Sequence, residues 1–576
     1  MGPFFLFFPL LKMNKQIKTI VFVSFENEFA PLGGLAAVMR LLPKRMAHMS
    51  HDRCVTFTPF FREITKCKPK LMDSIQSTGI TFSLVYDGKN HQVEIFQHQS
   101  GDGFTTYLFD SQKFFNAPCD CGDPPGMDAP CNPYLNPAHP EQLLDDSFMF
   151  SSAVPKALVA LGLTQNVVLC LQDWEAAGAA IVAKDDPRLS GISCLLTLHN
   201  SYDRLVSQAE MKRMTDCVLP GPTVLAKAGP FLDGPICTVS QHFAHELIHE
   251  PVHRDIFTPH LQAIFKERTI RGINNGLFSQ LDFSPEARTQ AASGNYHGLL
   301  EEKATRRREM IQKLETYQPE RAWGLLDFNN FDGPVFLFFG RDDPRQKGYD
   351  LAAAAIDRIP PGQAKFVFTP IPGDEGIQGL QFLQNLAKRR PGEVKVFPFR
   401  MEQGYTELQQ GASFIVMCSL YEPFGGATEG YAVGTPVVAR ATGGLVQQVV
   451  PYPSVALNAA VRTLSDQFHR ESDAPTGFLF RESGLGVKEA AQGWSAILDC
   501  AYWPGGDRLQ ERMQIPLFRS MVQAAEGALR NAIELYHTDQ AGYAQMINQG
   551  FHMLDRFSWD QAVREYQEIF SSLPSA

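Results

Sequence analysis

The stretch Tyr421-Glu422-Pro423-Phe424-Gly425-Gly426-Ala427-Thr428-Glu429 sets two carboxylates around a glycine pair, and Thr442-Gly443-Gly444-Leu445 follows after an apolar run. Ser413-Phe414-Ile415-Val416-Met417 leads into the first loop and Pro436-Val437-Val438-Ala439 into the second. Both loops therefore read as turns at the carboxyl ends of parallel strands, facing one crevice. Such a crevice suits a sugar nucleotide. Glycine backbone can approach phosphate closely, and a carboxylate at a strand end can hold ribose or sugar hydroxyls or steady a cationic sugar centre. Spacing assigns neither role, and for Glu429 the alternative is a first-turn glutamate favoured by the helix dipole.

Cations stand nearby in the sequence. Gly340-Arg341 follows the apolar run Val335-Phe336-Leu337-Phe338-Phe339, and Gln346-Lys347-Gly348 precedes the helical segment beginning at Tyr349. Arg341 and Lys347 converging at one strand end suit a pyrophosphate leaving group, whose charge grows as its bond to the sugar breaks. Earlier in the chain, Gly33-Gly34-Leu35 opens a helix after the run ending at Ser24-Phe25. Its free N–H groups are a phosphate site or a simple turn. His199-Asn200 and Asn274-Asn275-Gly276 each end a strand; His199 reads as a polar site residue or a loop cap, and Asn275-Gly276 as a site or a plain turn.

Short β-branched or aromatic runs alternating with amphipathic stretches predict βαβ units and parallel sheets. The first series comprises runs at 19–23, 54–57, 167–171, 194–198 and 236–239; the second comprises runs at 335–339, 366–369, 394–397 and the two named above. The α/β chain is thus expected to form two doubly wound, Rossmann-like domains, 13–284 and 333–550, joined by a polar helical segment within 285–332, with a last helix in 551–576 crossing back to the first. Residues 1–12 are apolar but lack a basic flank and are too short for a bilayer span, so they are expected to be a misassigned or disordered leader ahead of Met13. A length of 576 residues, 44% hydrophobic and 20% charged residues are those of a soluble globular protein. A net charge of -10 argues against nucleic acid as the main partner. Eleven dilute cysteines point to a reducing, cytoplasmic setting with no membrane attachment. Cys119, Cys121 and Cys131, with His139, lie in a Pro/Gly-rich loop over 118–140, but their spacing is weak for zinc, and no metal or cofactor is expected.

Taken in order, these residues resemble the bacterial glycogen and starch synthases, retaining glucosyltransferases of the two-domain GT-B fold. The resemblance rests on Leu32-Gly33-Gly34-Leu35, Asp173-Trp174, Thr197-Leu198-His199-Asn200, Ala226-Lys227-Ala228-Gly229 with Thr238-Val239-Ser240, and Gly272-Ile273-Asn274-Asn275-Gly276. Arg341 with Gln346-Lys347-Gly348, Glu422-Pro423-Phe424-Gly425, Thr442-Gly443-Gly444-Leu445 and Phe557-Ser558-Trp559 continue it. It implies transfer of glucose from a nucleotide diphosphoglucose, ADP-glucose favoured over UDP-glucose, to the non-reducing end of an α-1,4-glucan. On that resemblance, Glu422, His199 and Glu175 serve catalysis. Gly33, Gly34, Arg341, Lys347, Glu429, Thr442, Gly443 and Gly444 bind the donor and its phosphates, and Asp173, Asn200, Lys227 and Asn275 line the sugar or acceptor side. The chain also departs from the family. Pro31 stands where the family has a lysine, and Gln172 and Glu175 stand where it has histidines flanking Asp-Trp. Glu175 could bond the same hydroxyls, though its charge would alter the field at a developing cationic sugar. The alternatives are the same donor chemistry on another acceptor, or a glucan-binding pseudoenzyme.

Overall fold

The computed structural model describes residues 18–573 except 51, 120–130, 137–138, 402, 454–457, 484–485 and 502–506. The leader at 1–12 and Cys121 lie outside the described residues. Nine strands make the first sheet: β1 (Thr19–Val23), β2 (Arg53–Pro59), β3 (Ile75–Tyr86), β4 (Lys89–Gln99), β5 (Thr105–Asp110), β6 (Val167–Gln172), β7 (Ser193–Leu198), β8 (Ile236–Thr238) and β9 (Ile270–Gly272). Their order is β3-β4-β5-β2-β1-β6-β7-β8-β9. Seven make the second: β10 (Trp323–Leu326), β11 (Val335–Arg341), β12 (Lys365–Ile371), β13 (Glu393–Val396), β14 (Phe414–Met417), β15 (Val437–Arg440) and β16 (Gly477–Phe480). Their order is β10-β13-β12-β11-β14-β15-β16.

The central strands pair in parallel and are buried on both faces, which is why they read as unbroken apolar runs. Helices cover both faces of each sheet. In the second sheet, Phe336 stacks on Phe366 and Phe414 at ring separations of 5.6 and 5.3 Å, and Phe338 on Phe368 at 4.3 Å. These aromatic columns lock the strand register in the sheet that carries the second-domain wall of the cavity.

Three features differ from the sequence-based expectation. Strands β3 and β4 form an antiparallel hairpin that continues into β5, rather than further βαβ units. Their alternating, half-exposed pattern lacks an apolar run, although the turn at Asp87-Gly88, with φ of 48° and 68°, was a legible hairpin signal. Second, the polar helix His297–Thr316 is part of the second domain. Its buried stripe of Leu299, Lys303, Met310 and Leu314 packs against that domain, where the Lys303 ammonium donates to Gln410 O (2.7 Å) and Thr435 Oγ1 (2.6 Å). Third, β10 joins the second sheet antiparallel to β13, so 285–332 is built into that domain. The last helix, Trp559–Ser572, packs Val563, Tyr566 and Phe570 with Ile20 and Phe22 of β1, and Trp559 Nε1 donates to Leu277 O at 2.8 Å.

Beneath the β11 loop, the helix Tyr349–Ile356 is tied down by a buried ion pair. Arg512 donates to Asp350 Oδ2 at 2.8 Å and to Pro344 O at 2.6 Å, both charged side chains being fully enclosed. Removing one partner of such a pair leaves a buried charge uncompensated, at a cost of about 3–5 kcal/mol. Arg512→Ala is therefore expected to lower the denaturant midpoint by that amount, and an unchanged midpoint would refute the anchoring role.

Candidate active site

The carboxyl ends of β1, β6 and β7 face those of β11 and β14 across a cavity of about 890 Å³. This is where an open parallel sheet offers ligands its loops and helix N-termini. The second domain supplies one wall. Lys347 Nζ pairs with Glu422 Oε2 at 2.6 Å, and Ser419 Oγ donates to the same oxygen at 2.9 Å, which fixes the carboxylate. Arg341 lies 3.5 Å from both Asp343 Oδ2 and Asp374 Oδ1, long contacts that leave its guanidinium free to turn toward an anion. Glu429 lines the same wall; burial and the nearby Glu422 charge push its carboxyl up to about 7, with Lys347 opposing.

The first domain supplies the other wall. At Asp173, where β6 turns into the helix Asp173–Asp185, the backbone adopts φ of 58°, which is strained for a residue with a side chain. Both carboxylate oxygens hold it there: Oδ1 accepts from His199 N–H at 2.6 Å and Oδ2 from Asn200 Nδ2 at 3.2 Å. Burial pushes the Asp173 carboxyl up to about 7, and burial with Asp173 beside it drives Glu175 well above the usual carboxylate range. Burial thus favours the protonated form of Glu175, which weakens the charge expected from replacing a histidine there.

Burial also pushes His199 down to about 3, so its ring is neutral. Gln172 sets the tautomer. Its amide nitrogen donates to Cys170 O at 2.9 Å, which turns its oxygen toward His199 Nε2 at 2.7 Å. His199 therefore carries its proton on Nε2 and keeps Nδ1 as an acceptor. Gln172, read from the sequence only as a lost histidine, orients the histidine that remains.

Glu26 was missed by the sequence reading. Following β1, its Oε1 accepts from the backbone N–H of Leu32 (2.8 Å), Gly33 (2.5 Å) and Ala36 (3.3 Å), and its Oε2 from Tyr134 O–H (3.0 Å). The only local signal was a carboxylate two residues beyond a strand end. It corrects the role expected for Gly33, whose N–H is taken by Glu26; Gly33 and the exposed Gly34 still line the cavity. Tyr202 and Asp343 were missed too; Tyr202 O–H donates to Asp343 Oδ2 at 2.7 Å and joins the two walls.

Thr442, Gly443 and Gly444 do not line the cavity. Thr442 Oγ1 and Gly443 N–H donate to Glu246 Oε1 of the first domain at 2.9 and 2.8 Å, and Gly444 N–H donates to Glu422 O at 3.1 Å. They hold the Glu422 loop from behind, because a Cβ on Gly443 would lie 1.7 Å from Glu422 O. Lys227 is likewise enclosed, its ammonium donating to Leu219 O (3.0 Å) and Gly221 O (2.6 Å), so it ties a loop. Asn200 and Asn275 line the cavity with Glu422, His199, Glu175 and Asp173.

A family described as starch synthase catalytic domain matches residues 19–266, and one described as family 4 glycosyltransferase in conflict systems matches 315–471. The glycogen synthase of Geotalea daltonii is 24% identical over 569 residues, covering 96% of this chain and 98% of its own. That of Fervidobacterium nodosum is 24% identical over 458 residues, covering 75% and 85%. Together these matches support the chain as a divergent member of the glycogen and starch synthase family. It is a glycosyltransferase of the GT-B fold. The catalytic domain of starch synthase IV from Arabidopsis thaliana, solved with ADP and acarbose, superposes with a TM-score of 0.67 at 17% identity, covering 96% of this chain and 99% of that one. Among the described residues, no helix is long and apolar enough to cross a membrane.

Glu429 makes the electrostatics testable. Its carboxyl titrates near 4.5 when unfolded and near 7 when folded, so the folded chain holds the extra proton between those values and loses stability as pH rises through them. Glu429→Gln is expected to stabilise the protein by on the order of 1–3 kcal/mol at pH 8 and by little at pH 4. Equal denaturant midpoints for both proteins at pH 8 would contradict the buried, raised carboxyl.

Proposed function

We propose that the protein is a retaining glucosyltransferase that moves glucose from a nucleotide diphosphoglucose, ADP-glucose favoured, to the non-reducing end of an α-1,4-glucan. The observation that carries this reading is the Lys347–Glu422 pair, 2.6 Å apart and next to Arg341, directly across the cavity from His199 and Asp173. Family membership supports the donor class, and the preference for ADP-glucose rests on resemblance.

On this reading, the donor diphosphate lies against Arg341 and Lys347, which take up charge as the bond from the anomeric carbon to phosphate breaks. Glu422 exchanges its bond to Lys347 for the glucosyl hydroxyls and holds the sugar still during departure. Neutral His199 accepts a hydrogen bond from a sugar hydroxyl at Nδ1. Neutral Glu175 donates to a hydroxyl without placing a second charge beside the oxocarbenium-like centre. Asn275, Asn200 and Asp173 line the side from which the acceptor enters. The enclosing walls exclude water that would otherwise hydrolyse the donor. No cofactor takes part, and no metal takes part in the transfer.

A second reading, the same donor chemistry on a different acceptor, is favoured by Glu26 and Tyr134, which place a carboxylate and a ring on the first-domain wall beside the Gly33 turn. Release of ADP or UDP from the two donors, measured with and without glycogen while glucan elongation is followed, separates the readings. Release coupled to elongation supports the synthase. Release or donor binding without elongation moves the acceptor elsewhere, and absence of both would leave the pseudoenzyme. Glu422→Gln is expected to lower kcat by about 100-fold or more, the scale of losing one preorganised electrostatic contact, and a variant with unaltered turnover would remove Glu422 from the chemistry.

A further inference from the structure

We propose that Cys67, Cys119 and Cys131 form a structural zinc site on the first domain, distinct from the cleft. Cys67 caps the helix Arg62–Lys66, and Cys119 stands 52 residues later, before the Pro/Gly-rich loop that Cys131 closes. All three sulfurs lie within 4.8 Å of one another. Cys67 Sγ is 2.9 Å from Cys119 Sγ and 3.7 Å from Cys131 Sγ, and Cys119 and Cys131 are joined by a disulfide in this structure. The spacing within the loop was weak for zinc because it lacked Cys67, which only the fold brings in. Among the described residues, His139 does not join the cluster.

A thiolate metal centre gathers three or four sulfurs from separate segments. Zinc–sulfur bonds of about 2.3 Å in a tetrahedron place the sulfurs about 3.8 Å apart, close to the Cys67–Cys131 separation. Soft thiolates select zinc over the hard cations. The remaining described cysteines, Cys54, Cys170, Cys194, Cys217, Cys237, Cys418 and Cys500, are all free. Metal binds the reduced cluster: a dithiol reductant gives two electrons to each disulfide bond and is itself oxidised to a disulfide, and the resulting thiols lose their protons to solvent as zinc is bound.

The site has a structural purpose. Tyr134, three residues beyond Cys131, donates to Glu26 and packs its ring 5.7 Å from Phe25, and Lys68, next to Cys67, donates to Glu28 O at 2.7 Å. A metal at the three sulfurs clamps the loop so that Tyr134 keeps its place on the cavity wall.

The test is metal content of the full-length protein purified without added metal or chelator, by elemental mass spectrometry, alongside peptide mapping under non-reducing conditions. About one zinc per chain is expected in the wild type, falling to background in Cys67→Ser and Cys119→Ser and unchanged in Cys500→Ser. If the serine variants fail to fold, wild-type protein stripped by chelator and then given Zn2+ decides: recovery of one equivalent and of the thermal midpoint supports the site. Wild-type protein with no zinc before or after that addition, and with Cys119 and Cys131 linked in the peptide map, would overturn it.

Discussion

Ionisable groups taken out of water must be paired or neutralised, and this constraint shapes the cleft. The second-domain wall solves it by pairing: Lys347 with Glu422, and Arg341 with two aspartates. The first-domain wall solves it by hydrogen bonding and by shifted titration: Glu26 and Asp173 accept from backbone and side-chain N–H groups, and burial pushes Asp173 and Glu175 toward their protonated forms. The cations Arg341 and Lys347 are thus concentrated on one wall of the cavity.

The same constraint operates behind the cleft, where the domains meet. Glu246 is enclosed at the interface, and the histidines His242 and His253 beside it, with the hydrogen bonds it accepts, hold its carboxyl down to about 2 despite burial. It accepts from Thr442 and Gly443 and so couples the second-domain glycine loop to a first-domain helix. Ser240 Oγ donates to Pro423 O at 2.5 Å, and Tyr421 packs its ring 5.0 Å from His253. Glu422 sits between these contacts, so the geometry of its carboxylate depends on both domains rather than on its own loop.

The departures from the family pattern acquire physical content in three dimensions. Gln172 does not simply replace a histidine; its amide, oriented by Cys170 O, chooses the His199 tautomer. Glu175 replaces another, and burial with the Asp173 charge beside it favours its protonated, hydrogen-bond-donating form. Pro31 offers no side-chain cation, and the turn after it is organised instead by Glu26 accepting from three backbone N–H groups. These changes concentrate on the first-domain wall, while Arg341, Lys347 and Glu422 remain together on the other.

Apolar runs such as Val335–Phe339 and Val167–Leu171 determined the parallel strands by themselves, because a strand buried on both faces has no room for polar residues. His199, Arg341 and Glu422 were legible as candidates for the same reason, since strand ends in an open α/β sheet point into the crevice, whereas Asp173 was legible only through the family resemblance. The hairpin of β3 and β4 was legible only at its Asp87-Gly88 turn, since its half-exposed faces leave no unbroken run. The roles of Glu26, Tyr134, Tyr202 and Glu246, and the turning of Thr442–Gly444 and Lys227 away from the cavity, were not legible. Tyr134 is 108 residues from Glu26 and Thr442 is 196 from Glu246, while Lys227 turns back to Leu219 and Gly221, eight and six residues away. Local sequence carries the backbone preferences of each element, whereas protonation and hydrogen-bond partners depend on which distant groups share the same dry space, and only the packed tertiary structure decides that.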